Sequence, residues 1–371
     1  MSGRDGLFMA GGFVLGLLGL HVVLGKPLTT ETALLNPGTV AVFESDSGVP
    51  IHCRDVRDYQ QCLAGHDRRG TGPMALLLGN SMLHAINQYQ AGQVGAPLLL
   101  HRALRRDSID LVTFSYGNAN LQEHAAQYVY LNRQRPISLL IVGLVYDDTR
   151  EDGVREDIQP FLADSGTRAI LRKYEIGRAW TARDSAPSQH AAVEGSVQGR
   201  IEKWLNGRAS AASMVWRQRN EIEYQYFVSL HRLRNQAFGI KPETQRKRIP
   251  AVYAKNMAAL DMMLAESSAN RTKVILYTAP LRQDVPVPYV RAEYAEFKGA
   301  VQKATAAHSN ARYVDLDTII APQFWGEKNA TGIGTKLELD FMHFTSAGHG
   351  ILADHLQALV RDSRGGRRAF Q

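Results

Sequence analysis

The chain reads as an α/β protein: a three-layer sandwich on a central parallel sheet of about five strands, with a long helical insertion and an N-terminal transmembrane helix. Three observations carry this reading. Short, largely apolar runs recur at Met74–Leu78, Ile109–Ser115, Ile137–Val145 and Lys273–Ala279, the third almost continuously so. A strand that is apolar on both sides is covered on both faces, as strands of parallel sheets are. Helical patterns separate these runs, as parallel crossovers require. Finally, the runs end in polar turns, at Gly79-Asn80-Ser81, Gly117–Asn120 and Tyr146–Asp148. In open sheets of this kind, sites form beyond the carboxyl ends of the strands.

The first element is unlike the rest. Leu7–Gly25 (LFMAGGFVLGLLGLHVVLG) is an uncharged run with His21 as its polar interruption. At ~1.5 Å rise per residue it just spans a bilayer core of about 30 Å. A cleaved signal peptide is the alternative, but its apolar core usually runs only about 7–15 residues. Residues 1–26 are therefore expected to be an uncleaved anchor. Arg4 and Asp5 before the run and Lys26 after it are too balanced to set orientation. The two cysteines, Cys53 and Cys62, help here. A disulfide closing so short a loop contributes ~2–3 kcal/mol and needs an oxidising compartment, which puts the body outside the cytoplasm. Two unrelated thiols are the other reading.

Residues 27–73 form an extended lead-in with one strand at Thr39–Glu44. After the Met74–Leu78 strand, Met82–Gln93 has a helical pattern that starts directly beyond Ser81. Leu121–Arg133 is helical between the second and third strands. From about 152 to 270 no comparable strand occurs, and the stretch has a helical composition, with Trp180, Trp204 and Trp216 read as its own packing. A helix follows the fourth strand around Tyr289–His308, and Tyr313–Leu316 makes the fifth strand. Gly348–Arg361 is an amphipathic helix, and 363–371 is a basic tail. There are no internal repeats.

With 371 residues, 44% hydrophobic and 21% charged, the chain can bury a substantial core. A net charge of +7 favours anionic headgroups or polymers outside the cytoplasm, although a solvated basic face is the commoner meaning. No zinc-finger spacing or basic-aromatic repeat points to nucleic acid. His349 and His355 lack the carboxylate or cysteine pattern of a metal site.

Ser81, Asp340 and His343 are the residue types that nucleophilic acyl transfer needs. A hydroxyl attacks once a base takes its proton, and a buried carboxylate fixes the base's tautomer. Ser81 sits where a strand feeds a helix, so backbone N–H groups beside it can bind an oxyanion; it can equally well just cap the helix. Gly117 allows close approach of a backbone N–H, or is a turn glycine. Asn118 and Asn120 can each donate an amide hydrogen, or satisfy the turn. Asp147, Asp148, Arg150, Arg282 and Tyr289 follow strands and are candidates to line the cleft.

These motifs resemble the SGNH/GDSL hydrolase superfamily, over roughly 74–150 and 270–360. Gly79-Asn80-Ser81 matches its Gly-Asp-Ser block with Asn80 in place of the aspartate. Asp340-x-x-His343 matches its terminal block. The third block, Gly-x-Asn, has no counterpart in Gly143-Leu144-Val145-Tyr146-Asp147-Asp148. The resemblance implies a flavodoxin-like sheet in a catalytic domain over 74–362, with Ser81 the nucleophile, His343 the base and Asp340 its orienter. The Ser81 and Gly117 N–H groups would form the oxyanion hole, with Asn118 or Asn120 as the third donor. A classical α/β-hydrolase is disfavoured, because its Gly-x-Ser-x-Gly elbow is absent.

The anchor makes the chain similar to a membrane-anchored subgroup, the DltD-like and alginate O-acetylation proteins, as does the stretch Ala279–Tyr289. That subgroup implies a single-pass protein of the inner (cytoplasmic) membrane with a periplasmic or otherwise extracytoplasmic domain. It would move an acetyl or D-alanyl group through acyl-Ser81 onto a glycan or other cell-surface polymer, beside a membrane-bound O-acyltransferase and without a cofactor. A carbohydrate esterase that hydrolyses the same ester, and a catalytically idle scaffold for the acyltransferase, are the alternatives.

Overall fold

Alternate residues of the central strands feed two separate cores, and that division sets the architecture. The computed structural model describes residues 38–54, 56–70, 74–182, 230, 233–239, 244–328 and 337–365. Nearly all of these belong to one unit, formed by Gly38–Ser185, Pro242–Lys328 and Leu337–Gln371. The expected anchor, the start of the lead-in, the middle of the expected insertion and the end of the basic tail lie outside the described residues. Among the described residues no helix is long and apolar enough to cross a membrane.

In chain order, β1 (Val40–Ala41), the β2–β3 hairpin (Ser45–Asp46, Val49–Pro50), β4 (His52–Cys53) and α1 (Val56–Arg69) lead to β5 (Met74–Gly79). Next come α2 (Ser81–His84), β6 (Ala85–Ile86), α3 (Ala96–Arg105), β7 (Asp110–Ser115), α4 (Leu121–Gln134) and β8 (Ile137–Leu144). A 3-10 turn (Tyr146–Arg150) precedes α5 (Gln159–Ala163), α6 (Ser165–Leu171), α7 (Glu175–Ala182) and the long α8 (Pro250–Ala269). The chain closes with β9 (Lys273–Thr278), α9 (Arg291–Ala306), β10 (Ala311–Asp315), β11 (Trp325–Lys328), β12 (Glu338–Phe344) and α10 (Ser346–Gly365).

The main sheet runs β10-β9-β8-β5-β7-β4, with every neighbouring pair parallel. It has six strands where about five were expected. The sixth, β4, is two residues long, too short for any periodicity to show. Side chains alternate across a strand. Leu76, Leu78, Val112, Phe114, Leu140 and Val142 therefore enter one core with residues of α1, α4, α8 and α9. Ala75, Leu77, Leu111, Ile141 and Ile275 enter the other, with residues of α3 and α10. The sandwich has three layers, and the largely apolar runs follow from burial on both faces.

Three local expectations change. The helix expected over Met82–Gln93 stops at His84, because Ala85 and Ile86 pair antiparallel with Ala41 and Val40. Helix resumes only at Ala96, with Pro97 in the first turn, where its missing N–H costs nothing. The strand expected over Thr39–Glu44 shrinks to Val40–Ala41. Within 152–270, α8 is the sheet's own crossover from β8 to β9 and packs on α4, so it is not an appendage. Cys53 of β4 and Cys62 of α1 form a disulfide, which ties the edge strand to a covering helix.

Candidate active site

The chain leaves β5, pairs β7 on one side of it, then returns to pair β8 on the other. This reversal opens a crevice at the carboxyl end of β5, the place where open parallel sheets hold ligands. Ser81 lies there. Gly79 lets the turn fold tightly, because a Cβ on it would sit 2.5 Å from Leu83 Cδ1. Asn80 then caps α2, its Oδ1 accepting the Met82 N–H at 3.0 Å. That leaves Ser81, partly exposed, as the first residue of the turn.

Asp340 and His343 come from β12, which the sequence pattern did not show. Two residues three apart on a regular strand would point to opposite faces. Here the register with β11 shifts: Trp325 pairs with Phe344 but Glu327 pairs with Leu339, so 340–343 lie opposite Gly326 alone. The irregularity lets both side chains turn to the same place. His343 Nε2 lies 3.0 Å from Ser81 Oγ, and His343 Nδ1 lies 2.9 Å from Asp340 Oδ2. Two segments far apart in sequence, the Ser81 turn and β12, meet as a serine–histidine–aspartate triad.

Asp340 is 3% exposed and well supplied with donors. Its Oδ1 accepts the N–H groups of Met342 (2.8 Å) and His343 (3.1 Å), and its Oδ2 also accepts Asn87 Nδ2 at 3.3 Å. Burial pushes its carboxyl up, but the His343 charge and these hydrogen bonds outweigh burial and hold it below the usual carboxylate range. Asn87 had no sequence signal. It stands 253 residues from its partner, and its Nδ2 also donates to Glu327 O at 2.9 Å.

The Gly117 turn sits beside the serine, since β5 and β7 pair Gly79 with Ser115 and Tyr116 N donates to Gly79 O at 3.1 Å. Gly117 is exposed, with open space where a Cβ would be. Its carbonyl accepts from Arg155 Nη1 at 2.7 Å, and Arg155 in turn grips the buried Glu123. Arg155, another residue without a sequence signal, thus anchors the turn. Asn118 is exposed and left-handed (φ 54). Asn120 is not free to donate to an oxyanion. Its Oδ1 accepts the Glu123 N–H and its Nδ2 donates to Gly153 O, both at 2.9 Å, in a capping box that starts α4.

The expected cleft-lining residues are mostly engaged elsewhere. Asp148 is 6% exposed and accepts from Asn80 Nδ2 at 2.9 Å. Asp147 is held between Arg150 and Arg246. Arg150 also donates to Lys247 O at 3.0 Å. Arg282 is buried: it pairs with Asp284 and donates to the carbonyls of Gly326 and Asp340, so it braces the β11–β12 pair from behind. Tyr289 is 1% exposed, packed edge-on against Tyr146. The shared reason is geometric, since a loop residue following a strand can turn inward as easily as toward the crevice.

Three further imidazoles are structural. His349 Nδ1 accepts the Ala96 N–H and Nε2 donates to Ala85 O, joining α10 to α3 and β6; burial lowers its pKa to about 4 and keeps it neutral. His84 Nδ1 and His52 Nε2 both contact Ser115 Oγ, at 2.8 and 2.7 Å. Among the described residues no cluster of His, Cys, Asp and Glu is arranged to hold a metal ion.

Fold and site together define a class: a serine–histidine–aspartate triad at the switch point of a parallel, helix-covered sheet. No family model matches the chain, and no curated protein matches it. Among solved structures it is similar to a carbohydrate esterase family 2 enzyme with a carbohydrate-binding domain from Corynascus thermopiles (Myceliophthora fergusii). That match has 11% identity, covers 79% of this chain and 67% of the other, and has a TM-score of 0.37. A catalytic mutant of an acetylxylan esterase from Geobacillus stearothermophilus matches at 10% identity over 79% of this chain and 95% of its own, with a TM-score of 0.36. An α/β hydrolase from the Lake Arreo metagenome in Spain matches at 11% identity over 80% and 98%, with a TM-score of 0.37. Likenesses this distant carry no functional weight; the triad geometry does.

Proposed function

We propose that this protein is a serine-dependent enzyme of acyl esters, acting through an acyl-Ser81 intermediate. The observation that carries the reading is the linked pair of contacts, Ser81 Oγ to His343 Nε2 at 3.0 Å and His343 Nδ1 to Asp340 Oδ2 at 2.9 Å. In the first step His343 Nε2 takes the Ser81 proton while Oγ attacks the ester carbonyl. The N–H groups of Ser81 and Gly117 receive the developing oxyanion, a contribution on the order of 3 kcal/mol per donor. His343 then returns the proton to the leaving alkoxide. Asp340, ionised throughout, holds the imidazole tautomer and stabilises the imidazolium. In the second step water, or the hydroxyl of an acceptor, attacks the acyl-enzyme with His343 again as base.

Hydrolysis is the simpler outcome, since water needs no acceptor site. The resemblance of Gly79-Asn80-Ser81 and Asp340-x-x-His343 to the SGNH superfamily supports ester chemistry of this kind. A second reading, transfer of an acetyl or D-alanyl group to an extracytoplasmic glycan beside a membrane-bound O-acyltransferase, is favoured by the apolar run Leu7–Gly25 and the resemblance to the membrane-anchored subgroup. Turnover of p-nitrophenyl acetate by the parent and by Ser81→Ala tests the shared chemistry. The variant is expected to lose roughly 10³-fold or more in kcat/KM while melting at the parental temperature. Equal turnover would remove Ser81 as nucleophile, and an inactive parent would favour the idle scaffold. Product analysis with an acylated donor and a candidate glycan then separates transfer from hydrolysis.

A further inference from the structure

The turn that presents Ser81 is held by an amide–carboxyl pair whose two members come from different strand ends. Asn80, 4% exposed, uses both ends of its side chain: Oδ1 accepts the Met82 N–H at 3.0 Å, and Nδ2 donates to Asp148 Oδ2 at 2.9 Å. Asp148 lies in the 3-10 turn after β8, the strand beside β5, and its own N–H is fixed to Val145 O at 3.1 Å. Asn80 is thus stretched between the serine's helical turn and a rigid neighbour. If Nδ2 lost its acceptor, a buried donor would be stranded and the amide held by the Met82 N–H alone. The residue that would swing with it is Ser81.

We propose that Asp148 is a positioning residue of the triad, acting as the hydrogen-bond acceptor that locks Asn80 and, through it, the direction of the Ser81 hydroxyl. The inference rests on the reading of Ser81 as nucleophile. Burial is the largest influence on the Asp148 carboxyl and pushes it well above the usual range; Glu123 and Glu151 add to the shift, while Asn80 and Arg155 oppose it. Tyr289, on the loop before α9, lies near enough to feel the same carboxyl.

The logic of donors and acceptors gives a test that a merely structural contact would fail. Asp148→Asn retains a carbonyl acceptor at the same place without charge, whereas Asp148→Leu removes it. Asn80→Asp puts two carboxyl groups 2.9 Å apart in place of the amide–carboxyl pair. The double variant Asn80→Asp/Asp148→Asn restores one donor and one acceptor in reversed order, and the carboxylate introduced by Asn80→Asp can still accept the Met82 N–H. The readout is the rate of Ser81 labelling by a fluorophosphonate probe, with kcat and KM for p-nitrophenyl acetate measured alongside.

Asp148→Asn is expected within about threefold of the parent, and Asp148→Leu at least about 100-fold slower in kcat with little change in KM. Asn80→Asp is expected to fall behind the parent as pH rises and the two carboxyl groups can no longer share a proton. At the upper end of that pH series the double variant is expected to recover at least about tenfold over Asn80→Asp. Parental rates in Asp148→Leu, or a double variant no faster there than Asn80→Asp, would overturn the proposal. Should Asp148→Leu fail to fold, the reciprocal pair decides alone. A parent that is not labelled at Ser81 would instead overturn the function on which the proposal rests, so the two failures are distinguishable.

Discussion

At the scale of single residues, the proposed chemistry turns on how Asp340 is held. It accepts from two backbone N–H groups, from Asn87 and from His343. Replacing it by asparagine would preserve the shape but present an amide hydrogen toward His343 Nδ1, forcing the wrong tautomer. Asp340→Asn is expected to lose on the order of 10³–10⁴-fold in kcat with a nearly parental KM, measured on p-nitrophenyl acetate. A near-parental rate would remove Asp340 from the triad.

The same carboxylate links stability to pH. Its folded-state pKa lies below that of an unfolded aspartate, so its stabilisation is complete above the ordinary carboxylate range and is lost as pH falls through the folded value. Urea midpoints of parent and Asp340→Asn should therefore differ near neutrality and converge in acid. Asn87→Ala is expected to be milder, about tenfold in kcat, because it removes one donor from a carboxylate that keeps its other hydrogen bonds. Neither Asn87 nor Arg155 was legible in the sequence. Each acts through a partner tens or hundreds of residues away, and nothing in its local pattern marks it.

At the scale of elements, long strands could be read from the chain and short ones could not. β5, β7, β8 and β9 fill both cores and so appear as apolar runs, found within a residue or two of the expected bounds. β4 and β6 have two residues each and exist through pairing with strands elsewhere. β12 mixes Asp340, Phe341, Met342 and His343 because its register breaks, so it shows neither alternation nor a continuous run. The helix bounds failed where pairing overrode pattern, at His84.

Element stability rests partly on one buried ion cluster. Asp110, the first residue of β7, is fully buried and accepts Arg69 Nε and Nη2 at 2.7 and 2.9 Å and contacts His66 Nδ1 at 2.6 Å. Burial pushes its carboxyl up, and His66 and Arg69 together more than reverse that. Asp110→Asn would leave the mostly buried Arg69 guanidinium with its charge uncompensated. A loss of about 3–5 kcal/mol is expected from urea unfolding near pH 7, with the site's labelling rate unchanged in the folded fraction. A loss under about 1 kcal/mol would mean that solvent reaches the guanidinium and absorbs the change.

At the scale of the whole molecule, the triad was legible because each member carries a local signature, a strand-end Gly-Asn-Ser and an Asp-x-x-His before a helix. The supporting network was not, because it is made by the fold. The expected anchor is the converse case, resting wholly on composition. Leu7–Gly25 at ~1.5 Å per residue reaches about 28 Å, enough for a bilayer core. The chain between Lys26 and Gly38 can extend at most about 40 Å, so an anchored domain would work close to the membrane surface. Full-length protein is therefore expected in the membrane pellet after a high-salt wash, since an apolar span is not released by screening charge. A chain beginning at Pro27 is expected in the supernatant, with unchanged turnover of p-nitrophenyl acetate, because every triad atom lies between residues 81 and 343. Full-length protein in the supernatant would refute the anchor and leave the triad untouched; a soluble but inactive shorter chain would instead show that the first 26 residues support the fold.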